Sequence, residues 1–315
     1  MNVFFAGATG VIGRQLLPLL VRAGHEVTAM TRSPSRVEQI RSQGARPVVC
    51  NVFDQDGLRD AVVASKPDVL IHQLTDIPRR MHPRRVKTAM AATDRLRTEG
   101  TKALLQAAKA AGTRRLIAQS IAFLYRPVGS ALATEDEPLY HDAPTAFAGM
   151  VRAVDECERI VLGDAEIEGI VLRYGYFYGS GTIYARGGSF AEDVQRRRVP
   201  IVGDGSGMFS FIHVGDAAAA TSAALEQGST GTYNIVDDGP VALREWLPEY
   251  AQMLGAQSPF TVPKIIGRFA GGSYGIYLMT QQRGAANEKA RRQLGWEPGY
   301  STWREGFHAE LAASG

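Results

Sequence analysis

The chain has 315 residues, enough for one large α/β unit with an elaborated second lobe. Hydrophobic residues make up 45% and charged residues 21%, and the net charge of +3 is too small to imply a nucleic-acid partner. No apolar run approaches the ~20 residues of a membrane span, and Met1 leads straight into an apolar run, so neither a membrane nor a signal peptide is expected and the location is read as cytoplasmic.

The first dozen residues, Asn2 to Gly13, read as strand, tight turn and helix. The apolar run 2–6 opens into Gly7-Ala-Thr-Gly10-Val-Ile-Gly13, and an amphipathic stretch continues to Ala23. Gly7 permits a sharp reversal, Gly10 leaves room for a pyrophosphate, and Gly13 lets the helix pack close to the strand. The helix N-terminus offers unpaired N–H groups to the phosphates. His25 to Thr31 reads as the second strand. It ends in Thr31-Arg32-Ser33, with Arg36 close behind, where an NAD-preferring fold usually carries an acidic residue. Arginine fits a 2′-phosphate and no nearby carboxylate is expected to oppose it, so NADP(H) is favoured over NAD(H).

A third strand is read at 47–50, followed by Asn51-Val52-Phe53-Asp54 and a helix to about residue 64. Asp68 to His72 is the fourth strand, closing on Gln73-Leu74-Thr75, and His72 is read as a core residue. The loop 77–87 is basic, with Arg79, Arg80, His82, Arg84, Arg85 and Lys87, and reads as a solvated face. A long helix runs to Ala111 and stops at Gly112, and Arg115 to Ser120 is the fifth strand.

A helix over about 146–162 precedes the sixth strand, 169–174. Tyr174, Tyr176, Tyr178 and Tyr184 then crowd one glycine-punctuated window, read as an aromatic-lined ligand loop. Short strands are read at 200–205, 209–214 and 231–236, with helices at 215–227, 243–254 and 286–294. Asp216 is read as a helix cap and Trp296 as core. Cys50 and Cys157 have no metal-type or CxxC spacing and read as buried thiols, so no metal is expected. Alternating strands and helices argue for a Rossmann-type, doubly wound parallel sheet.

Five segments carry a family resemblance: Gly7–Gly13, Glu99-Gly-Thr-Lys-Ala-Leu-Leu105, Leu172-Arg-Tyr-Gly-Tyr-Phe-Tyr-Gly179, Phe211-Ile-His-Val-Gly-Asp216 and Leu294-Gly-Trp-Glu-Pro298. Together they resemble the extended short-chain dehydrogenase/reductase superfamily, which contains the NAD-dependent epimerase/dehydratases. The resemblance implies an NADP-binding Rossmann domain over 1–172 and 209–238, and a substrate-binding lobe over 173–208 and 239–315. Cofactor contacts are then expected from Gly7, Thr9, Gly10, Val11, Ile12 and Gly13, and from Arg32, Ser33 and Arg36. Further contacts are expected from Asn51, Val52, Gln73, Leu74, Thr75, Gln119, Tyr174, Gly175 and Phe177. The superfamily often dimerises through two helices, which here would be 86–111 and 146–162.

The superfamily's catalytic set is a Ser or Thr after the fifth strand and a Tyr-x-x-x-Lys on the next helix. Ser120 is the counterpart of the first. Met150 and Val154 align with the tyrosine and lysine, and no Tyr-x-x-x-Lys occurs between 120 and 175. Arg97 stands where the family usually has Asn. Tyr176 and Phe209 replace groups that often hold a sugar diphosphate. The substrate side is therefore expected to comprise Ile121, Phe123, Met150, Val154, Tyr176, Tyr178, Tyr184, Phe209 and Phe211. This reads as an atypical NADPH-dependent ketoreductase acting on an apolar or aromatic, polyketide-like carbonyl compound, a small molecule of secondary metabolism. Ser120 would polarise the carbonyl, and the proton would come from water, from the substrate, or from Tyr178 or Tyr184. The alternatives are a nucleotide-sugar epimerase/dehydratase and a non-catalytic NADP sensor.

Overall fold

The computed structural model describes residues 1–313. Seven strands form one all-parallel sheet: β1 (Asn2–Ala6), β2 (Glu26–Thr31), β3 (Arg46–Val49), β4 (Val69–His72), β5 (Arg115–Ile121), β6 (Glu168–Tyr174) and β7 (Gly231–Ile235). Their order is β7-β6-β5-β4-β1-β2-β3. The chain reverses its winding between β1 and β4, and that switch point opens a crevice at the strand C-termini.

Side-chain alternation gives the sheet two apolar faces. Val3, Phe5, Val69, Ile71 and Ile170 pack against α1 (Val11–Arg22). Phe4, Leu70, Leu116 and Val171 pack on the opposite side, against α2 (Gln55–Ser65) and the helices that follow β4. Those helices form a continuous rod: α3 (Val86–Arg95), a π turn over Leu96–Gly100, and α4 (Thr101–Ala110). Gly112, at φ 68°, ends the rod. The helix α5 (Thr145–Leu162) lies beside it, and α6 (Val214–Ala223) shares the α1 face.

A separate, aromatic core gathers Tyr178, Tyr184, Phe209, Phe211, Trp246, Tyr250, Trp303 and Phe307. It is built from α7 (Leu243–Met253), α9 (Trp303–Ala313) and several two- and three-residue strands. The stretch read as one strand over 209–214 is two. Met208–Phe209 runs antiparallel to Val241–Ala242, and Phe211–His213 runs parallel to Tyr176–Tyr178. Ser210 lies between them, its Oγ accepting the Ala285 N–H at 2.9 Å. Helix α8 (Lys264–Thr280) is unforeseen, since Gly267, Gly271, Gly272 and Gly275 dilute its signal; Gly272 (φ 65°, ψ −169°) kinks it. The N-cap of α6 is His213, whose side chain accepts the Gly215 N–H; Asp216 instead accepts the Tyr300 N–H at 3.2 Å. Both cysteines are buried and free, and Trp296 is core, as the sequence suggests. Among the described residues no helix is long and apolar enough to cross a membrane.

The β1–α1 turn depends on one missing side chain. A β-carbon on Gly13 would lie 2.3 Å from the Gly7 carbonyl oxygen and 2.4 Å from that of Ala8. Gly13→Val is expected to cost about 1–3 kcal/mol of stability by overpacking and to abolish dinucleotide binding, as checked by thermal denaturation and cofactor titration.

Candidate active site

The phosphate end of the crevice is set by backbone alone. Gly7 takes φ 110°, and a β-carbon there would meet the Gln73 backbone at 2.7 Å. The Gly10 N–H donates to the Gly7 carbonyl at 3.0 Å, which closes the turn. Gly10 then serves as the N-cap of α1 with no side chain over the first-turn N–H groups and no acidic residue in that turn. Free N–H groups and a glycine-lined cradle suit a pyrophosphate.

At the end of β2, Arg32 is 75% exposed and its Nη2 lies 3.4 Å from Asp76. This corrects the expectation that no carboxylate stands nearby, because Asp76 comes from the loop after β4, 44 residues away. Ser33 and Ser35 hydroxyls are 2.8 Å apart, and Arg36 bonds Gln39. Asn51 accepts the Phe53 N–H, and Val52 is buried under the loop. Gln73 donates to the Tyr174 hydroxyl at 2.8 Å, and Gln119 donates to the Leu74 carbonyl at 3.1 Å. Tyr174 is fully buried, and burial raises its pKa to about 12.

His72 is a core residue. The Thr101 hydroxyl donates to the Arg97 carbonyl at 2.6 Å, so His72 Nε2–H donates to Thr101, while Nδ1 accepts the Leu74 N–H. Burial lowers its pKa to about 4, so the ring is neutral.

Ser120 does not stand ready for a carbonyl. It is 2% exposed, and its Oγ donates to Glu158 Oε1 at 2.6 Å. The same carboxylate takes two bonds from Arg173, at 2.8 and 2.6 Å. Arg173 also donates to the Tyr125 hydroxyl at 2.9 Å, and Tyr125 donates to Asn234 at 2.7 Å. Burial opposes the Arg173 charge, but the bonds and charge of Glu158 override it and its pKa rises. A serine hydroxyl has one proton, and here a carboxylate holds it. In this structure Ser120 is a member of a buried network, with its hydroxyl directed to Glu158.

The substrate-side expectations divide into two groups. Ile121, at the end of β5, packs against the cluster holding Met150 and Val154 together with Phe147, Tyr274 and Tyr277. Phe123 stacks on Tyr176 with centroids 4.3 Å apart and planes 16° apart. Tyr176 donates to Gln282 at 2.8 Å, which fixes the ring. Met150 and Val154 are the buried part of an apolar floor, and Ile121 and the aromatic Phe123–Tyr176 wall are its partly exposed part. Tyr178, Tyr184, Phe209 and Phe211 belong to the aromatic core, against which Tyr176 also packs, its ring centroid 4.8 Å from that of Phe209. Tyr178 is wholly buried against Phe307, and burial drives the pKa of both tyrosines upward. They are corrected from ligand contacts and proton donors to packing residues.

Two groups were missed by sequence reasoning. Tyr274 and Tyr277 arrive on α8, and Tyr277 donates to the carbonyls of Phe123 and Tyr125 at 3.0 and 2.9 Å. The basic residues of the 77–87 loop are exposed, and two of them also make contacts across the crevice. Arg80 pairs with Glu192 and Asp193, and Arg84 donates to the Phe269 carbonyl, which ties the loop to the far side of the crevice. Among the described residues no His, Cys, Asp and Glu cluster could hold a metal.

The matching family model covers residues 3–236, and the chain belongs to the NAD dependent epimerase/dehydratase family. A Streptomyces relative named 3-diazoavenalumate denitrifying reductase is 45% identical over 98% of this chain and 100% of its own length. A Stigmatella aurantiaca relative, named 4-hydroxy-2-methyl-3-oxo-4-farnesyl-3,4-dihydroquinoline-1-oxide ketoreductase, is 25% identical over 98% of this chain and 95% of its own. Among solved structures, the Thermotoga maritima UDP-glucose 4-epimerase superposes with a TM-score of 0.77 at 19% identity, covering 99% of this chain and 98% of that one. The dTDP-glucose 4,6-dehydratase DesIV of Streptomyces venezuelae, with NAD bound, gives 0.77 at 20% identity over 99% and 96%. These structural likenesses establish the fold.

Ser120→Ala should keep activity within about tenfold of wild type and cost about 1 kcal/mol, whereas Glu158→Ala, which strands Arg173, should cost about 3–5 kcal/mol in urea unfolding. A thousandfold fall in kcat for Ser120→Ala at unchanged stability would restore Ser120 to catalysis.

Proposed function

We propose that the chain is an NADPH-dependent oxidoreductase that reduces an electrophilic nitrogen or carbon on a flat aromatic small molecule, without a proton from the protein. The observation that carries this reading is the inner face of α5, where Met150 and Val154 pack with Ile121 and present no titratable side chain. The reductase names of both relatives support the oxidoreductase class.

The glycine turn and the α1 N-terminus would hold the cofactor's pyrophosphate. Arg32, Ser33 and Arg36 would hold a 2′-phosphate. Asn51, Val52 and the 73–75 segment would flank the adenosine half, and Gln119 and the 174–177 segment the nicotinamide. The bound cofactor supplies hydride: an arenediazonium that accepts it becomes an aryldiazene, which releases dinitrogen and leaves the arene, with no further proton required. That acceptor fits an acid-free floor better than a ketone does, because a ketone must also gain a proton as hydride arrives. It also accords with the name of the Streptomyces relative. Ketone reduction is the second reading, favoured by the Stigmatella relative, with the proton drawn from a hydroxyl on the substrate or from water.

The chain's own residues position and shield. Phe123 and Tyr176 would stack the ring, and the apolar floor would exclude water that competes for a reactive acceptor. The aromatic ring at position 176 leaves little for a sugar diphosphate to bind.

Anaerobic mixing of the protein with NADPH and a nitrogen-15 arenediazonium salt should release labelled dinitrogen well above a heat-inactivated control. Turnover of aromatic ketones without any diazoarene turnover would select the second reading. In fluorescence titrations Arg32→Ala should weaken NADPH binding at least about tenfold and leave NADH binding unchanged. Equal effects on the two would contradict the 2′-phosphate role.

A further inference from the structure

Arg97 is a buried cation without a sufficient partner. It is 3% exposed, and Nε and Nη1 are both buried with no hydrogen-bond acceptor. The nearest counter-charge is Asp94, at 3.7 Å from Nη1, too long for a hydrogen bond, and Asp94 Oδ1 is itself unpartnered. The other charged and polar groups around it are engaged or neutral. Glu158 is held by Arg173 and Ser120, His72 is neutral and bonded to Thr101, and the Cys157 thiol lies 3.4 Å from the Thr101 hydroxyl. Tyr274 faces it from α8, and its hydroxyl has no hydrogen bond among the described residues.

An unpaired buried guanidinium costs several kcal/mol, and folds retain one where a ligand completes it. Its placement is specific. Arg97 sits in the π turn, a local widening of the 86–110 rod that packs against α5, the helix carrying Met150 and Val154. Arg97 thus brings a cation against α5 beside the apolar floor, where Tyr274 from α8 packs with its phenol pKa pushed up by burial. A guanidinium whose Nε–H and Nη1–H lack acceptors keeps charge-assisted hydrogen-bonding capacity for the oxygen of an anion such as a carboxylate.

We propose that Arg97 is an anion anchor in the substrate site, and that the chain takes an aromatic carboxylic acid whose carboxylate accepts from the Arg97 guanidinium while the ring lies against Phe123 and Tyr176. This sharpens the aromatic-substrate reading above and rests on it for the ring's place, but its test needs no turnover.

The probes are trans-cinnamate and its neutral amide, titrated calorimetrically into the NADP⁺-loaded protein. Wild type should bind the acid more tightly than the amide. Arg97→Met should weaken the acid at least about tenfold, leave the amide and NADP⁺ unchanged, and leave the melting temperature equal or higher, since a stranded charge is removed. Arg97→Lys, which keeps the charge without the fork, should recover part of the acid's affinity. The proposal is overturned if wild type does not prefer the acid, if Arg97→Met weakens acid and amide alike, or if it weakens NADP⁺ as well. A melting temperature that falls in both variants with acid binding unchanged would make Arg97 structural and overturn it too. Arg97-dependent acid binding together with no turnover in the arenediazonium and ketone assays above would retain the anchor and remove the reductase reading.

Discussion

The carboxylate of Glu158 organises this molecule. It accepts from Ser120 on β5 and twice from Arg173 on β6, and through Tyr125 the network reaches Asn234 on β7. Removing a carboxylate and a guanidinium from water costs several kcal/mol per ion unless every lone pair and proton finds a partner. This network meets that condition, and it does so in only one rotation of α5 against the sheet. Val154 and Met150 stand four and eight residues before Glu158, on the same helical face. Holding Glu158 therefore also fixes the apolar floor.

That floor constrains the chemistry more than the fold does. The fold is shared with sugar-nucleotide epimerases and dehydratases at about a fifth identity, and a fold by itself assigns no reaction. Around the floor the structure sets stacked rings at Phe123 and Tyr176, a neutral His72 and a serine whose proton is already held. Such surroundings suit a flat, apolar molecule, and the α5 positions Met150 and Val154 offer it no acid. An acceptor that needs only hydride is the natural match. The unpaired Arg97 adds the one strong polar demand at its edge.

The parts legible in the sequence are those set by local rules. The glycine turn, the seven strands and the helices around α1, α5 and α6 follow from spacing and alternation, and agree with the structure to within a few residues. What was misread depends on contacts distant in sequence. Ser120 and Ile121 are neighbours on one strand end, and nothing local says which one a helix carboxylate will claim. The tyrosines of 174–184 look like a binding loop because aromatic clusters line ligand sites and cores alike. Only the arrival of Trp246, Trp303 and Phe307 from the distant chain makes Tyr178 and Tyr184 core. Asp76 reaches Arg32 through a parallel sheet, and α8 escapes notice because its glycines erase the helical pattern.

The central claim is that hydride reaches the substrate with no proton moving from the protein. The most direct test is the solvent deuterium isotope effect on single-turnover hydride transfer from NADPH to an arenediazonium, followed by the loss of nicotinamide absorbance in water and in heavy water. The account predicts equal rates in the two solvents. A substantially slower rate in heavy water, removed by substituting one side chain at the cleft, would reveal a proton donor and contradict it.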